Sequence, residues 1–335
     1  MRAAVISQFN EPLQIVDVET PTPGFDDLII EVSACGVCHS DLHILEGDFK
    51  AAKLPLIPGH EVVGTVVARG DAVSDLAIGD RVGVAWQHSS CGLCEQCREG
   101  RENLCAKQNV TGLTVNGGYA EFMRAKANHA IRIPDSLSSV DAAPLFCAGV
   151  TVYRGLKRAD IAPGQRVAVF GVGGLGHLAV QIARAFGAQV LAVDIADDKL
   201  QLARSLGAEH AFNASAPDSM KQIRALGGAH VAIVTSAAKS AYDAALRALR
   251  PAGTLVVVGL PSEPLTFQAL ALVASEARII GSAVGTRQDI REVLTLAAAG
   301  KVHCRSEVQP LERVNDVFGR MRAATISGRV VLEFP

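Results

Sequence analysis

The stretch RVAVFGVGGLGHLAVQIARAFG, residues 166–187, decides how the middle of the chain is expected to fold. It opens with a short apolar run, continues with four glycines among six residues, and ends with an amphipathic segment that stops at Gly187. An apolar run of this length bounded by glycines is typical of a buried strand, whereas the segment after the glycines has the periodicity of a helix. The stretch therefore predicts a strand, a tight turn and a helix in succession.

The same alternation continues for about a hundred residues. Five further runs predict strands: QVLAVD (189–194), HAFN (210–213), HVAIVTS (230–236), TLVVVGL (254–260) and ARIIGSAVG (277–285). Nearly continuous apolar strands that alternate with helices indicate a parallel sheet covered on both faces. Six strands in this order predict a doubly wound α/β domain of the Rossmann type, which we place at residues 150–285.

The first third of the chain has a different pattern. The runs LIIEVSACGV (28–37), EVVGTVVARG (61–70) and RVGVAWQ (81–87) are separated by Gly- and Pro-containing turns, which favours an irregular, mostly antiparallel β domain. After the sheet domain only a helix, 287–300, and a strand, 328–334, are predicted, too little for a third domain. We therefore expect residues 1–149 and 286–335 to form one domain, with the Rossmann domain inserted towards its C-terminal side.

Composition excludes several classes of protein. The formal net charge is −2 and no basic run suggests a nucleic-acid partner. Although 49% of the residues are apolar, no uninterrupted apolar stretch reaches the length of a membrane span. The N-terminus, MRAAVISQFN, lacks the apolar core of a secretory signal, so we expect a cytoplasmic protein. In that reducing compartment the eight cysteines favour metal binding or catalysis over disulfides.

The glycine-rich turn predicts a dinucleotide site. It contains the pattern G-x-G-x-x-G and consists of Gly171, Gly173, Gly174, Leu175 and Gly176. Glycine leaves room for a pyrophosphate at the helix N-terminus, where free N–H groups attract anions. Asp194 ends the next strand, can accept hydrogen bonds from ribose hydroxyls and would repel a 2′-phosphate, which favours NAD over NADP. The alternative role for Asp194 is a helix N-cap, for which Asp197 is the better candidate.

Four cysteines within one loop predict a structural zinc site. They are Cys91, Cys94, Cys97 and Cys105. Two residues between successive ligands suit a tetrahedral ion, and four thiolates leave no position for a substrate. Unligated or disulfide-bonded cysteines remain an alternative, as does an iron–sulfur cluster, although the spacing differs from the usual ferredoxin runs.

Motifs along the whole chain resemble one family. They are CGVCHSDLH, LPLIPGHEVVG, IGDRVG, CGLCEQC, LFCAGVTVY, GVGGLGHLAVQ and GRVVL. The chain resembles the zinc-dependent alcohol dehydrogenases of the medium-chain dehydrogenase/reductase superfamily, in particular the shorter yeast and bacterial type. The resemblance implies a GroES-like catalytic domain, two zinc ions per chain and a homotetramer, with a dimer as the alternative. It also implies reversible, NAD-linked oxidation of a primary alcohol, aromatic and furan-type alcohols included, or of a secondary alcohol, to aldehyde or ketone.

Two alternatives to this function stay open at this point. The first is a relative of the same fold that acts on a polyol, threonine or a glutathione adduct. The second is a non-catalytic protein that reuses the fold, which is disfavoured because no family zinc ligand is missing.

The resemblance also implies the catalytic residues. Cys38, His60 and Cys147 would hold the catalytic zinc, because two thiolates neutralise Zn²⁺ and one imidazole completes a ligand set that leaves a fourth position open. Ser40 would hydrogen-bond the alcohol oxygen, and His43 would pass the proton towards solvent, a role that suits imidazole near neutral pH.

The remaining assignments concern supporting residues. Asp41 would fix the orientation of His60, and Glu61 is an accessory carboxylate beside the zinc. Trp86 would narrow the substrate pocket. His39 and Arg329 would contact the cofactor pyrophosphate, and neither Cys35 nor Cys304 receives a role. The other implied cofactor contacts are Thr151, Lys199, Val258, Gly259 and Leu260.

Overall fold

The computed structural model describes every residue from Met1 to Pro335, and the chain divides into two compact units. The first unit consists of Met1–Ala148, Thr286–Ala298 and Cys304–Pro335, and the second of Gly149–Gly285 and Ala299–His303.

We expected residues 299–303 in the first domain, but in the structure they belong to the second unit. The Gln181 side chain explains this difference. Its amide nitrogen donates to the carbonyl of His303 at 2.9 Å, and its amide oxygen accepts from the His303 N–H at 2.9 Å.

The N-terminal part of the first unit is rich in strands, as predicted. Its strands are β1 (Arg2–Val5), β2 (Gln14–Asp17), β3 (Asp27–Val37), β4 (Glu61–Arg69), β5 (Arg81–Val84), β6 (Gln87–Ser89), β7 (Asn109–Val110), β8 (Phe122–Lys126) and β9 (Ile131–Arg132). Its helices are short: α1 (His39–Leu45), α2 (Glu95–Arg98) and α3 (Ser139–Ala142).

The second unit is the predicted doubly wound domain. Its helices are α4 (Ala148–Arg158), α5 (Gly176–Ala185), α6 (Asp197–Ser205), α7 (Ser219–Ala225), α8 (Lys239–Ala248) and α9 (Ala269–Ser275). Its strands are β10 (Arg166–Phe170), β11 (Gln189–Asp194), β12 (His210–Asn213), β13 (Ala229–Val234), β14 (Leu249–Val257) and β15 (Arg278–Gly281). They form one parallel sheet in the order β12-β11-β10-β13-β14-β15, which confirms the predicted α/β class.

The last segment of the chain completes the sheet of the first unit. It contains α10 (Arg287–Ala298), β16 (Ser306–Pro310), α11 (Val314–Arg322) and β17 (Arg329–Glu333). The seven-stranded sheet has the order β16-β17-β3-β4-β5-β9, and β8 also pairs with β3. β3 is therefore the strand with most neighbours, and nine of its eleven residues are buried.

The predicted strand RVGVAWQ is broken in the structure. β5 ends at Val84 and β6 begins at Gln87, because Ala85 and Trp86 leave the sheet to bind Thr111. The Thr111 hydroxyl donates to the Ala85 carbonyl at 2.7 Å, and the Thr111 N–H donates to the Trp86 carbonyl at 2.9 Å. The break turns Trp86 towards His60, whose ring it contacts.

Among the helices, none combines the length and the apolar character that a membrane span requires.

Candidate active site and metal centres

Strand pairing brings the first two predicted zinc ligands together. Cys38 directly follows β3, and His60 directly precedes β4. The two strands are antiparallel, with Gly36 opposite Glu61, so the end of one meets the start of the other. Cys147 is not next to either strand in the chain. It lies between the 3₁₀ turn 143–146 and helix α4.

These residues form a compact buried cluster. The sulfurs of Cys38 and Cys147 lie 3.8 Å apart, and the ligand atoms of Cys38, His60, Glu61 and Cys147 all lie within 4.8 Å of one another. His60 is fully buried, yet its Nε2 atom has no hydrogen-bond partner. A buried polar atom is almost always paired, so this nitrogen beside two thiols fits a metal ion with sulfur and nitrogen ligands.

Asp41 fixes the ring of His60. The Nδ1 atom of His60 lies 2.8 Å from Oδ1 of Asp41, which leaves Nε2 directed at the thiols. Asp41 is itself fully buried and also accepts hydrogen bonds from the backbone N–H groups of Cys38 and Gly59, at 2.9 and 3.2 Å. The edge of Trp86 contacts the His60 ring, with centroids 5.0 Å apart and an interplanar angle of 88°. The imidazole is thus held on two sides.

The charges of the cluster depend on one another. The contact with Cys147 lowers the pKa of the Cys38 thiol well below its usual value, and the same contact raises the pKa of Cys147. Burial raises the pKa of Glu61 to about 7, although the Arg329 guanidinium opposes this rise. The cluster therefore favours a thiolate at Cys38, as a metal ligand requires.

Arg329 has a partner that the sequence did not indicate. Its Nη2 donates to Oε1 of Glu61, and only 4% of Arg329 is exposed. β17 pairs with β3, with Val330 opposite Val37, and this pairing brings Arg329 next to Glu61. Its assigned contact with the cofactor pyrophosphate stays a prediction.

Helix α1 carries three further predicted residues. Ser40 is half-buried, and its Oγ lies 3.9 Å from the sulfur of Cys38. His39 and His43 are exposed, and Nδ1 of His43 lies 2.8 Å from Oδ2 of Asp48, a neighbour that sequence reasoning missed. The one-turn separation of Ser40 and His43 places both on one face of the helix.

The four-cysteine loop also assembles as a cluster. The sulfurs of Cys91 and Cys97 lie 3.9 Å apart and those of Cys94 and Cys97 3.5 Å apart, too far for disulfides. The ligand atoms of Cys91, Cys94, Cys97 and Cys105 all lie within 4.8 Å of one another. Backbone N–H groups of Leu93 and Cys94 lower the pKa of Cys91 to about 6. Four sulfurs at these distances, one of them readily ionised, fit a tetrahedral zinc ion.

In the second unit the glycine-rich turn links β10 to α5. Gly171 has a φ of +89°, which favours glycine, and a Cβ atom on Gly176 would collide with the Gly171 carbonyl oxygen. The turn is therefore as tight as the sequence predicts.

Asp194 is bound to this turn. Its carboxylate accepts from the Val172 N–H at 2.6 Å and from the N–H groups of Ile195 and Ala196 at 2.8 and 3.0 Å. The N-cap of α6 is Ala196, so the prediction that Asp197 caps this helix was wrong. Asp194 binds the N–H groups of the two residues before the helix, and Asp197 is the first residue of the helix.

The other predicted cofactor contacts are distributed around the second unit. Thr151 lies on α4 and Lys199 on α6, and both are half-buried. Val258 and Gly259 follow β14 and are half-buried, whereas Leu260 is 78% exposed.

Comparisons with known proteins agree with this arrangement. Residues 24–135 match the alcohol dehydrogenase GroES-like domain, and residues 174–299 match the zinc-binding dehydrogenase domain. An alcohol dehydrogenase of Geobacillus stearothermophilus is 48% identical over 335 residues, which cover 99% of this chain and 99% of the relative.

Solved structures resemble the chain equally well. An alcohol dehydrogenase of the hyperthermophilic archaeon Aeropyrum pernix has a TM-score of 0.91 at 37% identity, with 100% of both chains covered. The acetophenone reductase of Geotrichum candidum, solved in complex with NAD, has a TM-score of 0.90 at 34% identity, with 99% of this chain and 97% of that chain covered.

A GroES-like domain, a doubly wound sheet domain, a buried cluster of two cysteines and a histidine, and a separate four-cysteine loop together define a zinc-binding dehydrogenase. The chain belongs to the zinc-dependent alcohol dehydrogenases of the medium-chain dehydrogenase/reductase superfamily. It is an oxidoreductase that acts on alcohols and aldehydes. The family, fold class and zinc dependence expected from the sequence are thereby confirmed.

The two clusters predict different consequences of ligand loss. Cys147→Ala should abolish turnover and remove about one of two zinc ions per chain, while the melting temperature changes little. Cys97→Ala should also remove one zinc ion, but it should mainly lower the melting temperature, because the loop loses its cross-link. Metal analysis, steady-state rates and thermal melts measure all three effects.

Cys304→Ala is the matched control, since Cys304 belongs to neither cluster. It should keep both zinc ions. Normal turnover in Cys147→Ala would contradict the catalytic ligand set. Equal loss of turnover in both ligand variants, with unchanged stability, would contradict the division of roles between the two clusters.

Proposed function

We propose that the chain catalyses the reversible oxidation of small primary alcohols, and of some secondary alcohols, at a zinc ion held by Cys38, His60 and Cys147, with NAD as hydride acceptor. The observation that carries this ligand set is the buried, unpartnered Nε2 of His60 beside two sulfurs 3.8 Å apart. When bound, zinc supplies the positive charge that makes an alcohol hydroxyl more acidic. The protein holds that hydroxyl, removes its proton and excludes water.

Ser40 and His43 provide the route for that proton. Ser40, whose Oγ lies near the sulfur of Cys38, would hydrogen-bond the alcohol oxygen. His43 is exposed at the other end of the same helix turn, and Asp48 holds its Nδ1 atom, so Nε2 is the nitrogen that receives the proton. His43 is exposed and, because imidazole titrates near neutral pH, would release the proton to solvent.

Replacement of His43 tests this route. His43→Gln should lower kcat by about tenfold near neutral pH, because the last proton acceptor is lost, and added imidazole buffer should restore part of the rate. His210→Gln is the control, since His210 is also an exposed histidine. An unchanged kcat in His43→Gln, or no response to imidazole, would contradict the role of His43.

Asp194 supports NAD rather than NADP as the cofactor. The carboxylate is held against the glycine-rich turn by the Val172 N–H, and so its negative charge lies where the adenosine ribose of a bound dinucleotide is expected. A 2′-phosphate would meet this charge directly. The neighbouring residue, Ile195, is 70% exposed and offers no compensating cation.

Trp86 supports a preference for small substrates. Its indole contacts both the His60 ring and, with centroids 5.9 Å apart, the Phe49 ring. A large aromatic side chain beside a metal ligand leaves less volume for the alcohol. Short primary alcohols are therefore proposed as the best substrates, ahead of polyols, threonine and glutathione adducts.

A panel of these alcohols and the matching aldehydes, assayed with NAD and NADP by the absorbance of the reduced cofactor, tests the proposal. Wild-type protein should use NAD more efficiently than NADP. In Asp194→Asn combined with Ile195→Arg, the ratio of the two kcat/KM values should shift towards NADP by roughly tenfold or more, because a repulsive charge is replaced by an attractive one.

Asp198→Asn is the control, because it removes the same charge from an exposed position nearby. It should leave the cofactor ratio unchanged. Equal use of NAD and NADP by the wild type would contradict the role of Asp194. A polyol, threonine or a glutathione adduct as the best substrate would contradict the proposed substrate class.

The free edge of the second unit's sheet supports a homo-oligomer. β15 is an edge strand that pairs with β14 on one side only. The neighbouring helix α9 has no buried residue, although Leu270 and Val273 are 79% and 75% exposed. A second copy that adds its own β15 across a two-fold axis would extend the sheet and cover these side chains. We propose this dimer as the building block of a tetramer.

Charges on α9 should weaken that dimer. Leu270→Glu combined with Val273→Glu places two carboxylates in each copy of the interface, which should reduce the mass in light-scattering chromatography to that of a smaller species. Ile78→Glu is the control, since Ile78 is also an exposed apolar residue, at 66%. A monomeric wild type, or an unchanged mass in the double variant, would contradict the proposal.

The proposed location is the cytoplasm. Both clusters need cysteines in the thiolate form, which a reducing compartment maintains and an oxidising one opposes.

A further inference from the structure

Tyr119 is joined to the catalytic cluster through Asp41. The tyrosine is fully buried, and its hydroxyl donates to Oδ2 of Asp41 at 2.9 Å. The same carboxylate holds Nδ1 of His60 through its other oxygen. Tyr119 is thus two hydrogen bonds from a zinc ligand, although 78 residues separate it from Asp41 in the chain.

Asp41 has four donors, two for each oxygen. Oδ1 accepts from His60 Nδ1 and from the Gly59 N–H, and Oδ2 accepts from the Cys38 N–H and from the Tyr119 hydroxyl. The two backbone donors belong to the segments that carry the zinc ligands themselves. Tyr119 is the single donor to this carboxylate from outside those segments, and so it fixes the carboxylate against an independent part of the fold.

The position of the Tyr119 ring does not depend on its hydroxyl. The backbone of Tyr119 is held at both ends, by its N–H to the Pro58 carbonyl at 3.0 Å and by the Ala4 N–H to its carbonyl at 2.8 Å. The ring also packs on Gly59, whose φ is +96° and where a Cβ atom would collide with the ring. The Phe318 ring lies beside it, with centroids 6.5 Å apart and an interplanar angle of 49°. The backbone hydrogen bonds and ring contacts of Tyr119 therefore fix the position of its hydroxyl, and the hydroxyl in turn holds the Asp41 carboxylate.

We propose that Tyr119 is a positioning residue for the catalytic zinc, and that its hydroxyl holds the Asp41 carboxylate in the orientation that directs His60 Nε2 at the metal. Without the hydroxyl, Oδ2 keeps only the Cys38 N–H, and the carboxylate loses its one donor from outside the segments that carry the zinc ligands. The His60 ring then samples orientations in which Nε2 no longer faces the two sulfurs. The inference rests on the proposed ligand set of Cys38, His60 and Cys147.

The test is the rate of zinc release to a chromogenic chelator. Wild-type protein should release zinc in two phases, and the phase missing from Cys147→Ala belongs to the catalytic site. In Tyr119→Phe this phase should become about tenfold faster, the lower end of what removal of an outer hydrogen-bond partner costs in metal affinity. The phase of the four-cysteine loop should stay unchanged and is an internal control within the same molecule.

Two further measurements separate the hydroxyl from general packing. Phe318→Leu loosens the contact on the Tyr119 ring but keeps the hydroxyl, so it should lower the melting temperature without a faster catalytic phase. With Co²⁺ in the catalytic site, the visible absorption bands report ligand geometry, and they should shift in Tyr119→Phe but not in Phe318→Leu.

A wild-type release rate and an unshifted cobalt spectrum in Tyr119→Phe would overturn the proposal. An equal acceleration in Phe318→Leu would overturn it too, because ring packing would then be the cause. Failure of the ligand set looks different: the wild type would then show a single phase, or Cys147→Ala would keep both phases.

Discussion

The antiparallel pairing of β3 with β4 is the interaction on which the catalytic site depends. Cys38 directly follows the first strand and His60 directly precedes the second, so the register that sets Gly36 opposite Glu61 also brings the two ligands together. The same β3 pairs with β17 on its other side and so brings Arg329 to Glu61. If β4 were shifted by one residue against β3, its side chains would point to the other face of the sheet, and the ligand residues would no longer lie close together.

Around this register the protein buries several ionisable groups close together. Asp41, His60, Glu61 and Arg329 are each at most 4% exposed, a burial that charged groups tolerate only when they are paired. Each carboxylate has its partner: Asp41 has four donors, and Glu61 has the Arg329 guanidinium. Nε2 of His60 has no hydrogen-bond partner and lies beside two sulfurs, and Oε2 of Glu61 and Nε of Arg329 are also buried without one. A buried ionic network is by itself weak evidence for stability, and this one has the arrangement that would orient a metal ligand.

Features formed by residues close together in the chain could be predicted from the sequence, whereas features formed by distant residues could not. The strands of the second unit could be predicted, because each is a local apolar run bounded by glycine or polar residues. The four-cysteine loop could be predicted because Cys91 to Cys105 span only a few turns of chain. The catalytic cluster required the family resemblance, since 109 residues separate Cys38 from Cys147. Nothing local signals the contacts of Tyr119 with Asp41 or of Arg329 with Glu61, the latter 268 residues apart.

We propose that the two zinc ions of one chain have different ligands and therefore different roles. X-ray absorption at the zinc edge, measured on protein with both sites filled, tests it most directly. Four thiolates at one site, and two thiolates with one imidazole at the other, predict an average of three sulfur ligands per zinc together with a nitrogen contribution. An average of four sulfurs without nitrogen, or a shell of mostly nitrogen and oxygen, would contradict the account.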